Sequence, residues 1–168
     1  MEVFDRAPQI SAFAEALLYL SARVDNVVRF IAPALDKGRV VIADRFVDSW
    51  IAYWAPVLGP QLGSTARATK WLLDFDNGLR SRGLSVRPNR TFLLIDDPSV
   101  ATKRAPAKVR SKWENARHLR RVQAVYLDLA RRFPGRFRIY DLRERGLRAT
   151  ASTVVEEAAY YIGETVRL

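Results

Sequence analysis

The chain has no cysteine among its 168 residues. Disulfides and thiolate metal sites are therefore excluded, and a cytosolic setting is permitted without being required. No apolar run approaches the roughly 20 residues that a bilayer-spanning helix needs, so no membrane association is expected. No basic, apolar and small-residue leader opens the chain. Internal repeats are absent, and no linker is long enough to argue for a second domain, so a single domain over residues 1–168 is expected. Negative charge is scarce: 18 Asp and Glu stand against 28 Lys and Arg, a net charge of +10. That balance suits a polyanionic partner such as a nucleotide, a nucleic acid or an acidic surface. An arginine-rich surface would give the same balance, so charge alone does not choose. What is abundant is apolar: 49% of residues are hydrophobic, enough to build a core at this length.

The pattern reads as helices alternating with strands. Ser11 is placed to cap a long helix over 11–36, in which Phe13, Leu17, Leu20, Val24, Val27, Val28 and Ile31 recur at helical spacing, with a bend expected before Pro33. Lys37-Gly38 closes it. Arg39 to Ala43 follows as an unalternating apolar run, the pattern of a strand buried on both faces. A short helix is expected over Phe46–Trp54, then a Pro/Gly loop from Pro56 to Gly63, then a helix capped at Ser64 or Thr65 and ended at Gly83. Thr91–Ile95 is a second unalternating strand, and Pro98 fits the first turn of another helix. Residues 103–113 carry Lys103, Arg104, Lys108, Arg110 and Lys112 without an amphipathic stripe, which predicts a basic loop. A helix over Glu114–Arg132, a third and more peripheral strand over Arg136–Tyr140, and a last helix capped near Thr150 or Ser152 complete the chain. The fold class is α/β, a three-layer parallel sheet with helices on both faces.

In such folds ligands bind beyond the C-terminal ends of the strands, where Asp44 and Arg45 fall. An acid beside a fixed cation can hold a metal-bound water and a phosphate oxygen together. A surface ion pair after a strand reads equally well. Tyr19 and Arg23 lie one helical turn apart and share a face. They suit a stacked base with a guanidinium contact, or a core aromatic beside a solvated charge.

Several motifs in register resemble the thymidylate kinases. They are Tyr19 and Arg23, then Ile31-Ala32-Pro33-Ala34-Leu35, Gly38 and Val40-Val41-Ile42-Ala43-Asp44-Arg45-Phe46. Asp48-Ser49, Ala52-Tyr53, the Pro88 to Asp96 strand and Tyr126-Leu127-Asp128-Leu129-Ala130 continue the series. The resemblance implies a nucleoside monophosphate kinase that converts dTMP and ATP to dTDP and ADP. Tyr19 would stack on the base and Arg23 contact it, Arg45 would hold the acceptor phosphate, Ser49 would line the pocket and Tyr53 would back the sugar. Asp44 would bind Mg²⁺ through water. Arg110 and Lys112, in a lid-like loop over 103–113, would meet the donor phosphates, since phosphoryl transfer rests on positioning and positive charge. The resemblance also implies a homodimer formed through helix 11–36.

One family feature is missing. No Gly-x-x-x-x-Gly-Lys-Ser/Thr loop occurs, and Gly59-Pro60-Gln61-Leu62-Gly63-Ser64-Thr65 lacks the lysine and is a residue short. Without its first strand and phosphate loop the expected fold is an incomplete P-loop kinase, and the ATP site is incomplete. Three alternatives stay open: a fragment, a chain that relies on a partner chain for the missing part, and a paralogue that has lost ATP. Trp50, where the family carries a smaller residue, could fill part of the base pocket. A non-catalytic, kinase-like nucleotide-binding or regulatory protein is therefore the alternative function. A nucleic-acid-binding role rests on charge alone.

Overall fold

The structure, a computed structural model, describes residues 10–104 and 115–166. Helix α1 spans Ala12–Asn26, and the Ser11 side chain caps it by accepting from the Ala14 amide at 3.2 Å. It runs on through a π-helical turn, Val27–Ile31, into a closing turn, Ala32–Leu35. The widened turn is the form the bend before Pro33 takes. Proline has no amide to donate and its ring crowds the preceding turn, and the register shift lets the Ala32 amide reach back to the Val27 carbonyl.

Helix α2 spans Val47–Leu58, four residues beyond the expected end at Trp54. Pro56 lies inside it rather than starting a loop, because Trp54, Ala55, Pro56 and Leu58 are all buried and their packing outweighs the lost hydrogen bond. Helix α3, Thr65–Arg80, is capped by Ser64, whose side chain accepts from the Arg67 amide at 3.1 Å. Strand β1 covers Thr91–Ile95 and helix α4 covers Pro98–Arg104. Helix α5, Ala116–Arg132, is capped by Asn115 and buries Val122, Val125, Leu129 and Ala130. Strand β2 covers Phe137–Asp141, and helix α6 covers Leu142–Val166. The helical span thus opens before Thr150, as two helices joined across a kink. A non-helical Gly146 at φ 73° interrupts it, and Thr150 donates its hydroxyl to the Gly146 carbonyl rather than capping an end.

The sheet is parallel, with Thr91 opposite Phe137 and Ile95 opposite Asp141. Helices cover both faces. Leu93 and Phe137 join the main core with α1, α2, α3 and α5. On the other face Phe92 stacks on Tyr140, and the Tyr140 hydroxyl donates to Glu157 of α6 at 2.7 Å.

The expected strand at Arg39–Ala43 is corrected by the structure. Among the described residues the sheet has two strands, not three, and residues 39–43 form no ladder. Val40 is 47% exposed and Ile42 84% exposed. The apolar run is strand-like in composition, but no described neighbour pairs with it.

One buried ion pair ties the helical layer to the sheet. Arg136 grips Asp48 of α2 with both terminal nitrogens, at 2.5 and 2.8 Å. Thr91 joins them, donating to Asp48 at 3.0 Å and accepting from Arg136 at 2.7 Å. The side chains of Arg136 and Asp48 are only 10% and 9% exposed. Removing one partner would leave the other charge buried and uncompensated, a loss of about 3–5 kcal/mol. Asp48→Ala is therefore expected to lower chemical-denaturation stability by that amount, and an Asp48→Leu/Arg136→Met double variant to recover most of it. A double variant as unstable as the single one would contradict this.

Candidate nucleotide site

The segment 38–46, β1, α5 and α6 enclose a cavity of about 1360 Å³. Asp44, Arg45, Ser49 and Tyr53 all line it, so four of the residues singled out from sequence come together. Phe46 is the N-cap of α2, and within the helix Ser49 and Tyr53 lie one turn apart and face the cavity together. Arg45 has φ 55°, an uncommon left-handed conformation for a residue with a side chain. Its guanidinium lies 5.1 Å from the centre of the Tyr53 ring, a cation–π geometry that fixes the charge at the cavity wall.

Ser49 accepts a hydrogen bond from the Tyr126 hydroxyl at 2.6 Å. Burial pushes the Tyr126 phenol up to about 12, against a smaller opposing pull from the Ser49 bond. It therefore stays a neutral donor and holds the serine in place. The helical spacing of Tyr126 gave it the signature of a core residue, and no local feature marked its hydroxyl. The ring of Tyr53 is also 6.0 Å from that of His118, and burial lowers the His118 pKa, with Arg121 adding to the effect.

Tyr19 and Arg23 stand apart from these four and do not line the cavity. Tyr19 packs against Trp54 with ring centres 5.8 Å apart. Arg23 turns inward. It meets Asp76 at 2.9 Å and donates to Ser85 at 2.8 Å, while Ser85 donates to Asp76 at 2.7 Å. Its guanidinium also lies over the Trp50 ring at 5.3 Å and the Phe46 ring at 5.6 Å. Burial lowers the Arg23 pKa and Asp76 opposes that shift, so the group remains a cation. Trp50 is 6% exposed and donates its indole N–H to the Ala16 carbonyl at 3.0 Å. Neither Asp76 nor Ser85 could be linked to Arg23 from sequence, because Ser85 is 62 residues away and no local pattern joins them.

Asp96 lines the same cavity as Asp44. Asp97 beside it accepts from the Ser99 amide at 2.7 Å and from the Ser99 hydroxyl, and these bonds hold its pKa below the ordinary carboxylate value. No cluster of three potential metal ligands occurs among the described residues. Asp44 and Asp96 both border the cavity, and Mg²⁺ commonly takes one or two carboxylates together with water and substrate phosphates. Gly59 abuts the start of α3, where an added Cβ would come within 2.9 Å of the Thr65 amide nitrogen. The glycine thus serves close packing of two helices, not a phosphate cradle. Arg110 and Lys112 lie outside the described residues.

A family model described as thymidylate kinase matches residues 2–151. The chain is 36% identical over 162 residues to a probable thymidylate kinase of Methanoculleus marisnigri, covering 96% of this chain and 71% of that protein. It is 34% identical over 132 residues to a thymidylate kinase of Bacillus licheniformis, covering 76% of this chain and 58% of the relative. A crystal structure of a thymidylate kinase from Ehrlichia chaffeensis shares the fold, with a TM-score of 0.57, 23% identity, and coverage of 83% of this chain and 60% of that one. The chain therefore spans roughly three fifths to seven tenths of the length of these relatives.

Proposed function

We propose, on the premise that this chain belongs to the thymidylate kinase family, that it forms the acceptor half of a dTMP kinase converting dTMP and ATP to dTDP and ADP. The observation that carries the reading is the meeting of Asp44, Arg45, Ser49 and Tyr53 on one cavity wall. Arg45 takes the acceptor phosphate, where a planar guanidinium makes paired hydrogen bonds to two oxygens. Ser49, aligned by Tyr126, borders the pocket, and Tyr53 backs the sugar. Tyr19 stacks on the base only by turning from Trp54, and Arg23 contacts it only by leaving Asp76 and Ser85, so base binding carries the cost of opening both contacts. Asp44 holds water of a Mg²⁺ ion, whose chemistry is to neutralise charge on the phosphates. Arg110 and Lys112 supply cations to the donor side from the lid-like loop over 103–113.

The burial of Arg23 against Asp76, away from the cavity, favours a second reading, a kinase-like module that binds a nucleotide or regulates a partner without turnover. In the first reading a partner chain, or further sequence in cis, provides the phosphate loop. We also infer a cytosolic homodimer formed through α1 and the π-helical turn that follows it, where Leu17, Val28 and Phe30 are exposed. A monomer in analytical sedimentation would exclude that dimer. No helix among the described residues is long and apolar enough to cross a membrane.

Titration with dTMP is expected to show weak, saturable binding that Arg45→Ala lowers by about tenfold or more, in line with the loss of a charge-assisted hydrogen bond worth about 1.5–3 kcal/mol. Binding unchanged by that variant would remove Arg45 from the site. Transfer itself needs the donor held in line with the acceptor, a positioning effect worth roughly 7–11 kcal/mol. The 168 residues alone are therefore expected to release no ADP above background in a coupled assay. Turnover at ordinary enzyme rates would show that ATP is held by residues not assigned here.

A further inference from the structure

Helix α3 ends at two arginines that share one acceptor. Gly83, at φ 71°, turns the chain back after the helix, and the Leu84 amide donates to the Leu79 carbonyl at 3.0 Å. The returning chain brings Arg87 to the last turn of α3. Arg80 donates to the Asn77 side-chain oxygen at 3.0 Å, and Arg87 donates to the same oxygen at 2.9 Å. Two cations thus converge on one neutral atom. Among the described residues neither forms an ion pair with a carboxylate, and the nearby acids are committed elsewhere, Asp76 to Arg23 and Asp48 to Arg136. Those two pairs cancel, so Arg80 and Arg87 leave a local excess of positive charge. The end of the helix does not call for them. Its last carbonyls accept from the amides of Ser81, Arg82, Gly83 and Leu84, and the Gly78 carbonyl accepts from the Arg82 guanidinium at 2.8 Å. Arg87 is also held from its other side, 5.0 Å from the centre of the Phe133 ring, with Arg136 5.2 Å from the same ring. Burial lowers the Arg87 pKa, Arg80 and Arg136 add to the effect, and Asp76 and Asp48 oppose it. The crowding of like charges is a repulsion that a bound anion would relieve.

From this geometry we propose a second anion site, formed by Arg80 and Arg87 beside Asn77, whose ligand is a phosphate monoester dianion. A guanidinium carries several N–H donors in a planar fork. Each of these two gives one to Asn77 and keeps others for paired contacts with phosphate oxygens. The Asn77 oxygen marks the point on which the two cations already converge, so little rearrangement is needed to admit a charged oxygen next to it. A phosphate monoester carries a charge of about −1.5 to −2 at neutral pH, which matches two uncompensated guanidinium groups better than the single charge of a phosphodiester does. The site therefore selects a terminal phosphate over a nucleic-acid backbone. A small phosphorylated molecule and a phosphorylated nucleic-acid end both supply that group. Arg87 borders the cavity that holds Arg45, whereas Arg80 and Asn77 do not, so the pair does not face into that cavity together. The kinase reading takes no part in the assignment.

The test follows the arginine side-chain Nε–Hε resonances of the full chain by NMR. Glycerol 2-phosphate is expected to move the Arg80 and Arg87 signals saturably, and to bind about tenfold or more tightly than dimethyl phosphate, a diester. Arg80→Gln, at an exposed position, keeps the fold and is expected to weaken binding about tenfold or more. Asn77→Asp sets a carboxylate of the chain itself between the two cations. It is expected to abolish glycerol phosphate binding and to raise the melting temperature. Arg45→Ala is expected to leave the Arg80 and Arg87 shifts unchanged. The proposal is overturned if dimethyl phosphate binds equally well, if Asn77→Asp still binds, or if Arg45→Ala abolishes the shifts, which would make the two sites one. A single-stranded DNA dodecamer with a 5′-phosphate distinguishes the sources. Tighter binding than glycerol phosphate assigns the site to a nucleic-acid end, and binding no tighter assigns it to a small molecule. An unphosphorylated dodecamer that binds as well as the phosphorylated one overturns the proposal. Loss of dTMP binding in Arg45→Ala alone bears on the kinase reading, and loss of glycerol phosphate binding in Asn77→Asp alone bears on this site, so the two fail separately.

Discussion

The bidentate contact between Arg136 and Asp48, with Thr91 shared between them, is the constraint on which the arrangement of the site depends. Asp48 lies in the first turn of α2, directly before Ser49. Thr91 opens β1, and Arg136 immediately precedes β2. Three elements are thereby fixed to one point by groups that are almost fully desolvated. A pair of this kind contributes little net stability over an apolar replacement, but it tolerates few alternative arrangements of its partners. Its value here is positional: it sets how far the Ser49 and Tyr53 face of α2 stands from the ends of the strands.

A second buried pair has the opposite relation to ligand binding. Arg23 and Asp76 satisfy one another behind Trp50 and Phe46, away from the cavity. The cavity therefore presents Arg45 as a cation close to solvent while Arg23 is held in reserve inside the helical layer. The two arginines chosen for one binding site occupy different environments. In the proposed reading, a phosphate would therefore be met with little rearrangement, whereas contact of Arg23 with a base would need a buried pair to open.

Local chemistry made much of this legible in the sequence. Ser11 and Ser64 cap the helices they were expected to cap, and Thr91–Ile95 forms the strand its apolar run suggested. The parallel α/β class and the kinase family follow from the same patterns. Val40–Ala43 has an equally strand-like run but forms no ladder, because periodicity reports what a strand could bury and not whether a neighbour is there to bury it. Pro56 misled for a related reason, since its breaker character is local whereas the packing of Trp54 and Leu58 that overrides it is not. The links from Arg23 to Ser85 and from Asp48 to Arg136 span 62 and 88 residues. Side chains that distant leave no mark on one another in a single sequence.

The left-handed backbone of Arg45 bears on how such a chain changes over generations. A residue other than glycine held at φ 55° carries a conformational cost on the order of 1–3 kcal/mol, which a glycine at this position would relieve. Selection for folding alone would therefore drift toward losing the arginine, since destabilised positions are kept only where function demands them. A guanidinium retained at this point is what the proposed phosphate contact would require. A lineage that had long ceased to need the cation would be expected to have exchanged it early, and sequencing close descendants of this chain at position 45 would read that history directly.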